Sequence, residues 1–210
     1  MWRCWLALVL VLVGCERAVD ETAVKALEIN VPAAAFDGLF VESAELSTML
    51  GNKLRYTGGY DEPAYDDTDH SPCAAMVGLF GNMDAFGREF QRFRWKTFRR
   101  DVPAGIPDYQ EIRELVVLWD SAGGAFEAMQ RISALLGTCR ADSGNAMVKF
   151  EKSSGSVLRW WLDRVDGICA YDVRIYANVV YSGESCLTGR DVELATKVAL
   201  AMDARIRTLG

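Results

Sequence analysis

The chain has 210 residues, half of them hydrophobic and a quarter charged, with a formal net charge of −6. That excludes a disordered, collagen-like or low-complexity chain, and the acidic balance argues against nucleic-acid binding. Two counts narrow the reading: one histidine excludes every metal or catalytic site that needs two, and six cysteines make compartment the first question.

Residues 1–14 read as an export signal. Arg3 supplies the positive start, and Leu6 to Val13 form an apolar run. That run is too short to span about 30 Å of hydrocarbon as a helix. Leu12-Val13-Gly14-Cys15 resembles a bacterial lipobox. The resemblance implies cleavage after Gly14, lipid on Cys15, and anchoring at the extracytoplasmic face of the cell membrane, where several acyl chains hold firmly. Residues 15–35 are mixed in charge and end in small side chains, so they read as the lipidated N-terminus and a tether with a coil span of roughly 25 Å. A single folded domain is expected over 36–210.

Within it, Ser43 to Leu50 predicts a short helix closed by Gly51. Residues 57–72 are turn-rich and acidic. Phe90 to Phe98 alternates, with Phe93, Trp95 and Thr97 on one face and Arg92, Arg94, Lys96 and Phe98 on the other, as in a half-buried strand. Pro103, Gly105 and Pro107 mark a loop, and Ile112 to Trp119 is a β-rich run. Ser121 caps a helix expected to run to Leu136, with Phe126, Met129, Ser133 and Leu136 inward and Gly137 as its stop. Strands are expected at Ala146–Glu151, Val157–Asp163, Ile168–Ile175 and Val179–Ser185. A final helix covers Asp191 to Thr208, with Val192, Ala195, Ala199, Met202 and Ile206 on one face. Two main helices packed on a twisted antiparallel sheet make this an α+β fold.

A two-residue turn at Ala177-Asn178 fixes a register. Asn tolerates the left-handed conformation such turns need. Tyr176 then faces Val179, and seven residues outward on each strand Cys169 faces Cys186. That is a non-hydrogen-bonded position with Cα atoms about 4.5 Å apart, close enough for a disulfide. Cys4 leaves with the signal and Cys15 takes the lipid, so Cys73 is left for Cys139. Two disulfides are expected.

Pro72-Cys73-Ala74, the run from Val116 to Cys139, and GICAYDVRIYANVV with Cys186 and the last helix resemble the PknH-like extracellular domain family. That family includes the external sensor domain of a mycobacterial serine/threonine kinase and small stand-alone lipoproteins. The resemblance implies a helix-and-sheet domain with two disulfides, a cleft for an unidentified ligand, and no catalytic residues. Leu136 stands where the family often has Trp.

The most distinctive surface feature is the basic strand with Arg88, Arg92, Arg94, Lys96, Arg99 and Arg100 in an acidic protein. Arg92, Arg94 and Lys96 are candidate contacts for an anionic envelope ligand; a solvated strand face is the plainer reading. Trp160 and Trp161 are adjacent on a strand, so one is core and the other can stack on a ligand. The loop with Asp61, Glu62, Asp66, Asp67, Asp69 and His70 matches no calcium-loop spacing. Ser121-Ala122-Gly123-Gly124 is an ordinary capped helix start. No metal or cofactor is expected. The expected function is a lipid-anchored, non-catalytic sensor-like domain that binds an envelope ligand. The alternatives are an accessory lipoprotein docking onto another envelope protein, and a hydrolase built on His70.

Overall fold

The computed structural model describes residues 29–63, 83–101, 111–142, 147–164, 167–187 and 193–209. Runs rich in β-branched and aromatic residues form the strands. They are β1 (Leu54–Tyr60), β2 (Arg92–Arg100), β3 (Glu111–Leu118), β4 (Met147–Ser154), β5 (Val157–Arg164), β6 (Gly167–Tyr176) and β7 (Val179–Leu187). They make one seven-stranded sheet in the order β1-β2-β3-β7-β6-β5-β4. Every neighbouring pair is antiparallel. Two meanders, one from each half of the chain, therefore meet at the β3–β7 ladder. The helices are α1 (Ser43–Leu50), the single turn α2 (Met83–Phe86), α3 (Ala122–Asp142) and α4 (Glu193–Leu209), with a 3-10 segment at Ala33–Leu39.

Alternation along the strands gives the sheet two apolar faces. On one, Phe93, Leu115, Val117, Leu158, Trp160 and Val173 pack with α2 and α3. On the other, Phe98, Ile112, Val116, Leu118 and Tyr181 pack with the 3-10 segment, α1 and α4. The expected parity of β2 holds, with Phe93 on the α3 side and Phe98 on the α4 side. α1 ends as expected: Gly51 takes φ +63°, and its N–H returns to the last turn. Four members of the α4 stripe, Ala195, Ala199, Met202 and Ile206, are buried with Leu194 and Val198 beside them, while Val192 lies outside the described residues.

Four expectations need correction. Among the described residues the packing already includes Val31, five residues before Phe36, and Val31 is buried. α3 does not stop at Gly137 but continues to Asp142. Phe126 is 50 % exposed; the inward stripe of α3 is Ala122, Ala125, Ala128, Met129, Ile132, Leu136 and Cys139. Small alanines let the helix sit close to the sheet, and the bulk of Phe126 misplaced the stripe by one position. At the β6–β7 turn the positive φ, +51°, belongs to Ala177 rather than Asn178.

Asn178 instead turns its buried side chain inward. Its Oδ1 accepts from the Val31 N–H (2.8 Å), and its Nδ2 donates to the carbonyls of Val31 (3.2 Å) and Trp119 (2.7 Å). The segment at Val31 is thus fastened to the end of the β6–β7 hairpin. The register of that hairpin is the expected one throughout, and Cys169 is bonded to Cys186 with Cα atoms 4.0 Å apart. Among the described residues this is the bridge with both cysteines in view. Cys139 is also disulfide-bonded, its partner lying outside the described residues, as do Cys15, His70 and Cys73.

Candidate functional site

The basic strand β2 places its cations on the α4 face, above the 3-10 segment and the residue that follows it. The Arg92 guanidinium lies 4.9 Å from the Phe36 ring centre and that of Arg94 5.8 Å from the same ring. Lys96 Nζ lies 4.3 Å from the Phe40 ring. Such stacking holds a cation in place while leaving its outer side wet. Arg94 is also paired with Asp37 and Asp61. The Asp61 hydrogen bond raises its pKa, and the reciprocal contact holds Asp61 below the usual carboxylate range. Arg94 is therefore partly neutralised, whereas Arg92 and Lys96 make no ion pair among the described residues.

Beside these cations the edge strand β1 is bulged after Tyr56. Gly59 lies so close to the Trp95 carbonyl that a Cβ there would overlap it. The result is an open depression of about 250 Å³ lined by Tyr56, Gly59, Asp61, Arg94, Trp95 and Lys96. It offers two cations, a carboxylate and an exposed phenol, a lining suited to a small polar ligand bearing negative charge.

The α3 face carries a polar row that the sequence reading missed. Thr97, Arg113, Glu184, Tyr171 and Trp160 face one another across β2, β3, β7, β6 and β5. Arg113 donates to Glu111 (2.8 Å) and Glu184 (3.0 Å), and its guanidinium lies 5.8 Å from the Trp95 ring centre. Burial alone would lower its pKa; Glu184 and Glu111 outweigh that and raise it. Trp160 is buried and stacked on Tyr171, with ring centres 4.7 Å apart. It is the core member of the tryptophan pair, which withdraws it as a ligand contact. Trp161 lies on the opposite face, half-buried.

On that opposite face a second ion cluster follows the same pattern. Asp172, fully buried, accepts from Arg159 Nε (2.6 Å), Arg174 Nε (2.8 Å) and Arg174 Nη2 (3.1 Å). Nearby, Tyr181 donates to Asp203, which also holds Arg207. The available signal for both clusters was opposite charges two residues apart inside β-rich runs: Glu111-x-Arg113 and Asp172-x-Arg174. Such pairs share one face of a strand and neutralise each other there.

Glu114, on β3, is also buried on the α4 face. Its Oε1 accepts from the Val41 N–H at 3.1 Å, while Oε2 has no hydrogen-bond partner. Burial pushes its pKa up to about 8, against the opposing pull of Val41, Lys96 and Arg205.

Cys169, Glu184 and Cys186 bring ligand-type atoms within 4.8 Å of one another. Both sulfurs are consumed by the disulfide, so the group offers no thiolate to a metal. At the helix start, Ser121 Oγ accepts from the Gly124 N–H (3.3 Å), which is capping. Gly124 is needed there because a Cβ would come within 2.8 Å of the Trp119 ring.

No known protein-family profile matches the sequence, and no curated protein matches it. Among solved structures, the chain is similar to the extracellular domain of PknH from Mycobacterium tuberculosis. The TM-score is 0.68 at 13 % identity, over 86 % of this chain and 98 % of that one. At that identity the likeness extends to the fold and assigns no residue a role. No described helix is long and apolar enough to cross a membrane. What the chain shares with that domain is an α+β architecture.

Proposed function

We propose that the chain is a lipid-anchored extracytoplasmic domain that binds an anionic envelope ligand without catalysing a reaction. The observation that carries the ligand-binding reading is the β2 face, where Arg92 and Lys96 are held over aromatic rings beside the open depression at Gly59. Likeness of fold to an extracellular domain supports the same reading. So does the Cys169–Cys186 disulfide, a bond that persists in oxidising compartments. Lipidation of Cys15 and pairing of Cys73 with Cys139 belong to this proposal and rest on the sequence.

Charge reversal tests it. Arg92→Glu with Lys96→Glu is expected to weaken retention on immobilised polyphosphate at low salt by at least tenfold; unchanged retention would overturn the assignment of β2. For the anchor, Cys15→Ala is expected to move the protein out of the membrane fraction, and an unchanged distribution would overturn it. Docking onto another envelope protein is the second reading. It draws on the β1 edge, where Tyr56 and Tyr60 are 57 % and 62 % exposed.

A further inference from the structure

On the α4 face, the helices pack mainly on β6 and β7 among the described residues. Gly183 makes this possible: a Cβ there would lie 2.9 Å from both Ala199 N and Val198 Cβ. Beyond α4 the face of β5 and the adjoining part of β6 carries Trp161, Arg159 and Arg174, each only partly buried.

We propose that this shelf binds the acidic sugar unit of a saccharide, with Trp161 as the stacking surface and Arg159 and Arg174 as the carboxylate receptor. It is independent of the β2 face. Asp172 is the organising element. Its carboxylate, fully buried, takes Nε of Arg159 and both Nε and Nη2 of Arg174. That leaves Arg159 Nη1 and Nη2 and Arg174 Nη1 with no hydrogen-bond partner among the described residues. The side chains are 20 % and 11 % exposed. Asp203 also acts on Arg174 but is itself paired with Arg207, so among the described residues the two guanidiniums and Asp172 leave one positive charge over, on forks already fixed in orientation, and little ordering is required when an acid docks.

Trp161 supplies the second half. It is two residues from Arg159 on the same strand, hence on the same face and about 7 Å away. That distance suits one pyranose ring with its carboxyl group. No aromatic ring or cation stacks on Trp161 among the described residues, unlike Trp160, whose face is taken by Tyr171. The negative face of an indole attracts the C–H groups of a sugar ring. A neutral sugar would leave the surplus charge unanswered, and a free anion would leave Trp161 unused; an acidic sugar uses both.

Titration of the purified chain with trigalacturonate, followed by NMR of the tryptophan indole and arginine Nε–H signals, tests this. Trigalacturonate is expected to shift Trp161, Arg159 and Arg174 together, with a dissociation constant of millimolar or tighter. Maltotriose should bind at least tenfold more weakly, and inorganic phosphate should not move the Trp161 indole. Trp161→Leu and Arg159→Lys should each weaken trigalacturonate at least tenfold. Arg159→Lys keeps a cation beside Asp172, so the fold is retained while the outward fork is lost. Arg92→Glu with Lys96→Glu should leave this titration unchanged, whatever its effect on the β2 face. The proposal is overturned by wild-type affinity in Trp161→Leu and Arg159→Lys, by equal binding of maltotriose, by loss of binding in the β2 double variant, or by an unmoved Trp161 indole at 10 mM trigalacturonate.

Discussion

Glu114→Gln isolates the energetic role of one buried acid. In the wild type, Glu114 is buried on the α4 face, accepts from the Val41 N–H, and has its pKa raised from 4.5 to about 8. The folded protein therefore binds this proton more tightly than the unfolded chain does. The resulting stability is fully present below pH 4.5 and is lost as pH rises to about 8. Each unit of pKa difference corresponds to about 1.4 kcal/mol, so the whole excursion is on the order of 5 kcal/mol. Lys96 and Arg205 moderate it, and Glu42 adds to it. Gln keeps an oxygen for Val41 and cannot ionise. Its amide exchanges one buried polar group for another, at a pH-independent cost of about 1 kcal/mol. Urea unfolding under non-reducing conditions at half-unit steps from pH 4.5 to 9 measures the effect. The variant should be equal or slightly weaker at pH 5 and clearly more stable above pH 8. Titrations elsewhere cancel in the difference between the two proteins. Parallel stability curves across that range would refute the reasoning.

Ala177→Gly should raise stability by about 0.5–1 kcal/mol, because the alanine sits at φ +51°, a conformation that costs an L-residue and not glycine; a lower urea midpoint would contradict this. Gly183→Ala should lose about 2–3 kcal/mol, because the new methyl overlaps α4 backbone and must push the helix off the sheet. An unchanged thermal midpoint would show that α4 seats elsewhere.

Local features of the fold were legible where the deciding physics is local. The αL stop at Gly51 follows from glycine itself. The Cys169–Cys186 pairing follows from a two-residue turn and the period of a strand. The parity of Arg92, Arg94 and Lys96 against Phe93 and Trp95 follows from the same period. What escaped depends on contacts distant in sequence. Nothing around Asn178 announces that its amide holds Val31, 147 positions away. Phe126 misled because its bulk outweighed the alanines that actually face the sheet. Of the expected ligand contacts, the basic strand could be seen in composition, but its partial neutralisation by Asp37 and Asp61 could not. Trp160 and Trp161 could be assigned to opposite faces, yet which one is core depends on Tyr171, a neighbour only after β6 pairs with β5.

The order of the strands has a consequence for how the chain reaches its native state. β3 lies mid-sheet between β2 and β7, and Arg113 meets Glu184 across 71 positions of sequence. As the chain emerges N-terminus first, β1, β2 and β3 can assemble early, but β3 then remains an edge until β7 emerges. For that interval Val116-Val117-Leu118 lies along an unpaired strand, a template for association between nascent chains. Glu111, Arg113 and Glu114, in the same strand, put charge along that temporary edge. Completing the centre of the sheet last gives the domain many non-local contacts and places it among the slower folders. The charges that organise the mature polar row also act earlier, as protection for an incomplete sheet.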